Sequence, residues 1–257
     1  MKNIAIVTGA SQGLGAAFVR LIANTNVVDE IWAIARHAGG ASDSHAHQPT
    51  RIIPLCCDLT TREGREKLSQ RLNEQQPRVN VLINNAGMAK FGPEASLSPL
   101  ETERMLSLNC IALSTLCSMC IPFMEQGGRI INIASIASFL PVPNMGVYAA
   151  TKAYVLRYSL ALRHELSTQR IGVTTVCPGW MDTAFIPSAC KGKTQIPTRF
   201  VGITTPEKVA AKAWRDAQRN RKLSVYGVFP HLVHWAARVL PHNWLIACWK
   251  FLQGKSS

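Results

Sequence analysis

Acidic residues are scarce in this chain: 15 Asp and Glu stand against 28 Lys and Arg in 257 residues, giving a formal charge of +13 and a pI near 9.7. Such an excess invites nucleic acid or anionic lipid as partners. The basic residues are scattered, however, and their densest groups, at 62–67 and 215–222, are mixed with acids and lack interleaved aromatics. They read as solvated helix faces, so no nucleic-acid partner is expected. Charged residues make up 17% and apolar ones 47%, the balance of a packed globule, with disorder expected only at 254–257 and between 37 and 50.

Other absences narrow the class further. No second cysteine pair accompanies Cys117 and Cys120, which sit inside an apolar helix pattern, so they read as packing residues rather than zinc ligands, and no metal is expected. With no signal peptide ahead of them, the eight cysteines read as reduced thiols in a cytoplasmic protein. The first ten residues lead directly into a glycine loop and read as a first strand, not a targeting sequence. The apolar tail at 229–257 carries Trp235, Trp244, Trp249 and Phe251, but Pro241, Arg238 and three histidines leave it too interrupted to span a bilayer. Three readings of it stay open: amphipathic helices covering an apolar pocket, helices resting on a membrane with Arg238 and Lys250 among the headgroups, or a packed tail or subunit contact.

What is present centres on residues 132–152. Ser135 follows Ile130, Ile131 and Ile133, a β-branched run that predicts a buried strand with the hydroxyl at its carboxyl end. Tyr148 and Lys152 stand four residues apart in a helical pattern, which puts them on one helix face about 6 Å apart. A cation at that distance favours the phenolate by roughly 3 kcal/mol at an effective dielectric near 20, about two pKa units. A phenol so tuned suits proton exchange with a carbonyl or alkoxide oxygen, and Ser135 can hold that oxygen by a second hydrogen bond.

At the other end of the chain, strand 2–7 turns through Gly9, Ser11, Gly13, Leu14 and Gly15 into an amphipathic helix ending at Ala23. Strand, glycine loop and helix in that order form a dinucleotide site: Gly9 allows the tight turn, Gly13 the approach of the pyrophosphate and Gly15 close helix packing. The acid expected to grip a ribose about 20 residues later is missing, because Ala35 and then Arg36 stand there. A guanidinium suits a 2′-phosphate, so NADPH is the expected cofactor, with NAD less favoured.

The remaining pattern alternates strands and helices in one α/β domain: strands at 31–35, 51–56, 79–83, 129–134, 173–176 and 223–227, and helices at 62–74, 99–126, 148–166 and 206–220, the last capped by Thr205. Residues 37–50 predict a short loop whose His45 and His47 are solvated. Asn84 and Asn85 end one strand and can tie its neighbours, while Asn109, alone among apolar neighbours, either caps a kink or holds a water for the lysine. Residues 184–205 lack periodicity and carry hinge-like Pro and Gly, which suits a lid.

Together TGASQGLG, NNAG, Asn109, Ser135, YAATK and PGWMDT make the chain resemble a short-chain dehydrogenase/reductase, from the first strand to about residue 227. The resemblance implies a Rossmann-type, doubly wound parallel sheet with helices on both faces, spanning 1–228 and followed by the tail. It implies that Asn109 holds a water, Ser135 binds the substrate oxygen, Tyr148 is the acid or base and Lys152 binds the nicotinamide ribose. It further implies phosphate contacts at Ser11 and Leu14, adenine contacts at Asp58 and Leu59, and adenosine-ribose contacts at Asn85, Ala86 and Gly87. Pro178 and Gly179 then lead to Thr183 at the nicotinamide amide or phosphates. A homodimer or tetramer is expected, with the tail placed to obstruct tetramers that pair through the last strand. The expected activity is hydride transfer between NADPH and a ketone or secondary alcohol, bulky and apolar like a steroid or fatty-acyl derivative. A regulatory NADPH-binding protein of the same fold, acting through a protein or membrane partner, is the alternative.

Overall fold

The computed structural model describes residues 1–36, 50–193 and 196–253. The loop expected at 37–50, with His45 and His47, and the disorder expected at 254–257 therefore lie almost wholly outside the described residues. Seven parallel strands form one sheet: β1 (Asn3–Thr8), β2 (Glu30–Ala35), β3 (Arg51–Cys56), β4 (Arg78–Asn84), β5 (Arg129–Ile133), β6 (Gly172–Val176) and β7 (Leu223–Ser224), in spatial order 3-2-1-4-5-6-7. Their apolar runs exist because both faces are covered. In β1, Ile4 and Ile6 enter one core while Ala5 and Val7 enter the other.

On one face pack α1 (Gly13–Ala23) and α7 (Pro206–Gln218), through Phe18, Ile22, Val209 and Trp214. On the other lie α2 (Arg62–Gln75), whose Leu68 and Leu72 are buried as their spacing predicts, α4 (Leu113–Cys120) and α5 (Gly146–Glu165). Thr61 caps α2 by accepting from the Gly64 amide at 3.0 Å. Thr205 occupies the corresponding place before α7 but makes no side-chain cap bond; Pro206 at the first helical position is what sets that helix start.

The long helix expected at 99–126 is a composite. A capping box of Ser98 and Glu101 starts α3 (Pro99–Leu106), six residues (Ser107–Ala112) widen into a π-helix, α4 continues, and Ile121–Phe123 tightens to a 3-10 turn at Pro122, which cannot donate to the helix ladder. This stretch is long and apolar enough to cross a membrane by composition alone, yet Met105, Leu116, Cys117 and Cys120 are packed in the interior. The last strand is shorter than expected, two residues instead of five, because after Ser224 the chain stops pairing with β6 and turns at Gly227 with φ +94°. The aperiodic 184–205 contains one short helix, α6 (Phe185–Cys190), and the tail forms α8 (Val228–Val239) and α9 (His242–Gln253).

Strand order reverses between β1 and β4, so the segments leaving their carboxyl ends diverge and open a crevice there. Asn84 and Asn85 fasten its base. Asn84 Nδ2 donates to Asn132 Oδ1 on β5 at 2.9 Å, and Asn85 Nδ2 donates to the Thr8 and Gly9 carbonyls at 2.9 and 3.2 Å.

Candidate active site

A cavity of about 950 Å³ runs from the glycine loop to the C-terminal helices along the carboxyl edge of the sheet. One half is lined by Gly9, Ser11, Gly13, Leu14, Arg36, Asp58, Leu59, Asn85, Ala86, Gly87, Pro178, Gly179 and Thr183, so the residues expected at the dinucleotide converge from five strand ends. Gly15 is not on that wall. A Cβ there would lie 2.1 Å from the Gly9 carbonyl oxygen, so it lets α1 close against the turn; Gly13, at φ +54°, faces Thr183, whose Cγ2 a Cβ would meet at 3.2 Å. The Gln12 side chain makes no cap bond and the first turn of α1 has no acid, leaving the amides of its amino end available to an anion. A cradle with a narrow glycine wall, amides at one end and Arg36 at the other fits a phosphorylated dinucleotide.

Asp58 and Thr60 shape the adenosine end. Burial acts to raise the Asp58 pKa, but two hydrogen bonds from Thr60, at 2.9 and 2.7 Å, and the charges of Arg36 and Arg104 outweigh it and hold the carboxyl below its ordinary range. Arg104 is a second cation on this wall that no sequence pattern announces, because α3 reaches the site only through the tertiary fold.

Tyr148, Ser135 and Lys152 meet in the middle of the cavity and are buried. Ser135 leaves β5 as the cap of a 3-10 turn, Ile136–Phe139, and its Oγ accepts from the Ala137 amide at 3.1 Å. That contact aims the hydroxyl proton elsewhere, and the Ser135 hydroxyl is near enough to the Tyr148 phenol to favour its charged form. Lys152 Nζ donates to the Ile133 carbonyl at 2.8 Å and stands 5.8 Å from the Tyr148 ring centre.

The separation is the one expected, but the shift of the phenol is opposite to the expectation. Burial pushes Tyr148 up to about 12, against the lowering influence of the nearby Ser135 hydroxyl, and pushes Lys152 down to about 8. An effective dielectric near 20 undercounts what it costs to take each charge out of water in a site this enclosed, and desolvation favours the neutral form of both partners.

Asn109 lies in the π-helical stretch and is 1% exposed. Its Oδ1 accepts from the Met88 amide at 2.9 Å, and its Nδ2 donates to the Met88 carbonyl at 2.8 Å and to Thr151 Oγ1 at 3.0 Å. The side chain is thus occupied in holding the segment after β4 against α5. A Cβ on Gly87 would fall 3.3 Å from Asn109 Oδ1 and 3.4 Å from Lys152 Nζ, which marks the narrow space between them.

The other half of the cavity is apolar. Phe91 and Phe185 flank Tyr148 with ring centres at 6.1 and 5.9 Å, and Trp180 packs edge-on to Phe91 at 6.3 Å. None of these aromatics stands out in the sequence, because Phe91 follows β4 whereas Trp180 and Phe185 follow β6, and only the fold brings the two segments together. Residues 180–182 and 204 form a neck through reciprocal backbone bonds, Thr204 N to Trp180 O and Asp182 N to Thr204 O, at 3.1 and 3.0 Å. Lys193 ties the far side to α3 by bonding Glu101 at 2.7 Å. The tail covers the remainder: Phe229, Val233, Ala236, Leu245 and Trp249 line the cavity, Trp249 Nε1 donates to the Pro143 carbonyl at 3.3 Å, and His234 stacks on Phe139 at 4.5 Å.

A family model described as short chain dehydrogenase matches residues 3–193. The 3-oxoacyl-(acyl-carrier-protein) reductase FabG of Chlamydia trachomatis is 30% identical over 225 residues, which cover 83% of this chain and 89% of that one. Among solved structures, a short-chain dehydrogenase from Sphingobium yanoikuyae in complex with NADPH superposes with a TM-score of 0.79 at 26% identity, covering 99% of both chains. A bulky-bulky ketone specific alcohol dehydrogenase from Comamonas testosteroni gives 0.72 at 25% identity, covering 94% of this chain and 89% of that one. Sequence and fold agree over the same span that builds the crevice, and the chain belongs to the short-chain dehydrogenase/reductase family of NAD(P)-dependent oxidoreductases acting on CH–OH and C=O groups.

Proposed function

We propose that this enzyme reduces bulky, apolar ketones with NADPH. The observation that carries the reading is the continuity of one cavity: a dinucleotide cradle bordered by Arg36 and Arg104 opens past Tyr148 into a chamber walled by Phe91, Trp180, Phe185 and Trp249. Arg36, standing where a ribose-binding acid would, with Arg104 across from it, favours a 2′-phosphate. The likeness to a bulky-ketone dehydrogenase and to a ketoacyl reductase supports an apolar carbonyl substrate.

The bound nicotinamide supplies the hydride. Everything else falls to this chain. Ser135 donates a hydrogen bond to the carbonyl oxygen and orients it, and Tyr148, protonated at neutral pH, passes its proton to that oxygen as negative charge develops there. The Lys152 ammonium holds the nicotinamide ribose and steadies the phenolate left behind. Asn109 keeps Met88 and Thr151 in register beside them. Exposed Leu106, Ile111 and Tyr154, 44, 49 and 42% accessible, form the face through which two copies pair.

The test is NADPH and NADH oxidation at equal concentration with a panel of ketones of increasing size. Turnover favouring NADPH and bulky ketones, lowered about 10²- to 10⁴-fold by Tyr148→Phe with NADPH affinity retained, is the expected result. A preference for NADH, or a variant as active as the parent, refutes it.

A further inference from the structure

The two tail helices are apolar on both sides. Phe229, Val233 and Ala236 of α8, and Leu240 just after it, face the cavity. One position earlier in each turn, Val228, Leu232, Trp235 and Val239 face outward, 79, 59, 65 and 56% exposed. Their spacing of four, three and four residues keeps them on one side of the helix. On the adjacent α9, Trp244 and Phe251, seven residues apart, are 65 and 83% exposed. A helix that merely lids a cavity would turn a polar face to water; here exposed His231, Arg238 and Lys250 share the outer side with six large apolar side chains.

The formal charge carried by this end of the chain is of one sign. After Asp216 no acidic residue occurs in the last 41 positions of the chain, whereas Arg219, Arg221, Lys222, Arg238, Lys250 and Lys255 do. Exposed tryptophans bordered by cations without acids are suited to the headgroup level of an anionic bilayer, where the indole rings straddle the interface and the cations meet phosphates. A second copy of the chain is a poorer match. A two-fold interface between these faces would bring Arg238 and Lys250 of both copies into one patch, with no carboxylate in either tail to pair them.

We propose that the outer face of α8 and α9 docks on an anionic lipid surface, and that apolar ketone dissolved in the bilayer enters the cavity beside Leu232. Leu232 is both outward and part of the cavity wall, so it stands on the rim between the two. The delivery half rests on the apolar-ketone reading above; the docking half rests on the surface alone.

Full-length enzyme is floated with phosphatidylglycerol vesicles and, separately, phosphatidylcholine vesicles, alongside the double variant Trp235→Glu/Trp244→Glu, neither residue being part of the cavity wall. The parent should float with phosphatidylglycerol and show a blue-shifted tryptophan emission, and the variant should partition at least tenfold less, while both reduce a small water-soluble ketone equally. Circular dichroism verifies that the variant is folded, and Trp235→Ser/Trp244→Ser replaces it if it is not. A parent that stays in the buffer, or a variant that floats as well, overturns docking. A variant that changes only the mass in sedimentation, with no vesicle binding in the parent, assigns the face to self-association and overturns it too. With a long-chain ketone carried in the vesicles, the parent should turn over several-fold faster than the variant, and equal rates overturn delivery. The soluble-ketone assay reads reduction without lipid, so failure of docking and failure of the reductase reading are told apart.

Discussion

A phenol raised to about 12 by burial keeps its proton throughout the range in which an ammonium lowered to about 8 gives up its own. Between pH 7 and 10 the titrating member of the pair is therefore Lys152, not Tyr148, and carbonyl reduction, which needs a protonated phenol, should follow the lysine. We expect kcat/KM for reduction to be flat below about pH 7 and to fall about tenfold per unit well above 8, whereas alcohol oxidation, which needs a phenolate, rises with pH. A reductive rate that climbs from pH 8 to 10 would show that desolvation does not control the pair. The same shift affects folding. Against an ordinary value of 10.5, the unfolded chain binds the extra proton between about 8 and 10.5, so stability rises with pH across that window and is lost again as pH falls back to about 8. Below it the buried charge costs about 3 kcal/mol in full. Lys152→Met should accordingly abolish turnover yet raise Tm at pH 7, with the gain shrinking towards pH 10.5. A lower Tm at both pH values contradicts it.

Elements whose patterns are local were legible before the fold was known. The end of α1 at Ala23, the span of β3 and the inward Leu68 and Leu72 of α2 match their expected positions because each depends on nearest neighbours along the chain. The convergence of Ser135, Tyr148 and Lys152 was legible for the same reason, one strand end and one helix turn fixing all three. Features made by distant segments were not: α6 is only six residues long, and the wall of Phe91, Trp180 and Phe185 is assembled from the segments that follow β4 and β6. Asn109 lies between these cases, since its isolation announced a special position but only the fold names Met88 and Thr151 as its partners. Those partners make a prediction at this scale. Asn109→Leu would leave the Met88 amide, the Met88 carbonyl and the Thr151 hydroxyl short of bonds in the interior, at about 1–3 kcal/mol for each group left unsatisfied. A loss of at least about 3 kcal/mol lowers Tm by roughly 6–12 °C for a domain of this size. Differential scanning calorimetry decides it, and an unchanged Tm would mean that water replaces the amide and that the π-helical kink is held by backbone alone.

Over the whole molecule, the net charge of +13 exceeds what the cradle needs to balance a dinucleotide, and the surplus is spread over the surface. A field of that sign reaches beyond the Debye length of about 10 Å at 0.1 M salt only when ionic strength is low, and it draws anions towards the crevice before any contact forms. The cofactor carries its negative charge on phosphates, whereas a ketone carries none, so one enzyme holds its own control. Raising ionic strength from about 0.01 to 0.3 M, which shortens the screening length from about 30 Å to below 8 Å, should raise KM for NADPH several-fold while leaving KM for a neutral ketone nearly unchanged. Equal sensitivity of the two would mean that salt acts on the fold or on the apolar chamber. Insensitivity of both would mean that the cations beside Asp58 act only at contact distance, with the rest of the positive surface taking no part in cofactor capture and free to serve another anionic partner.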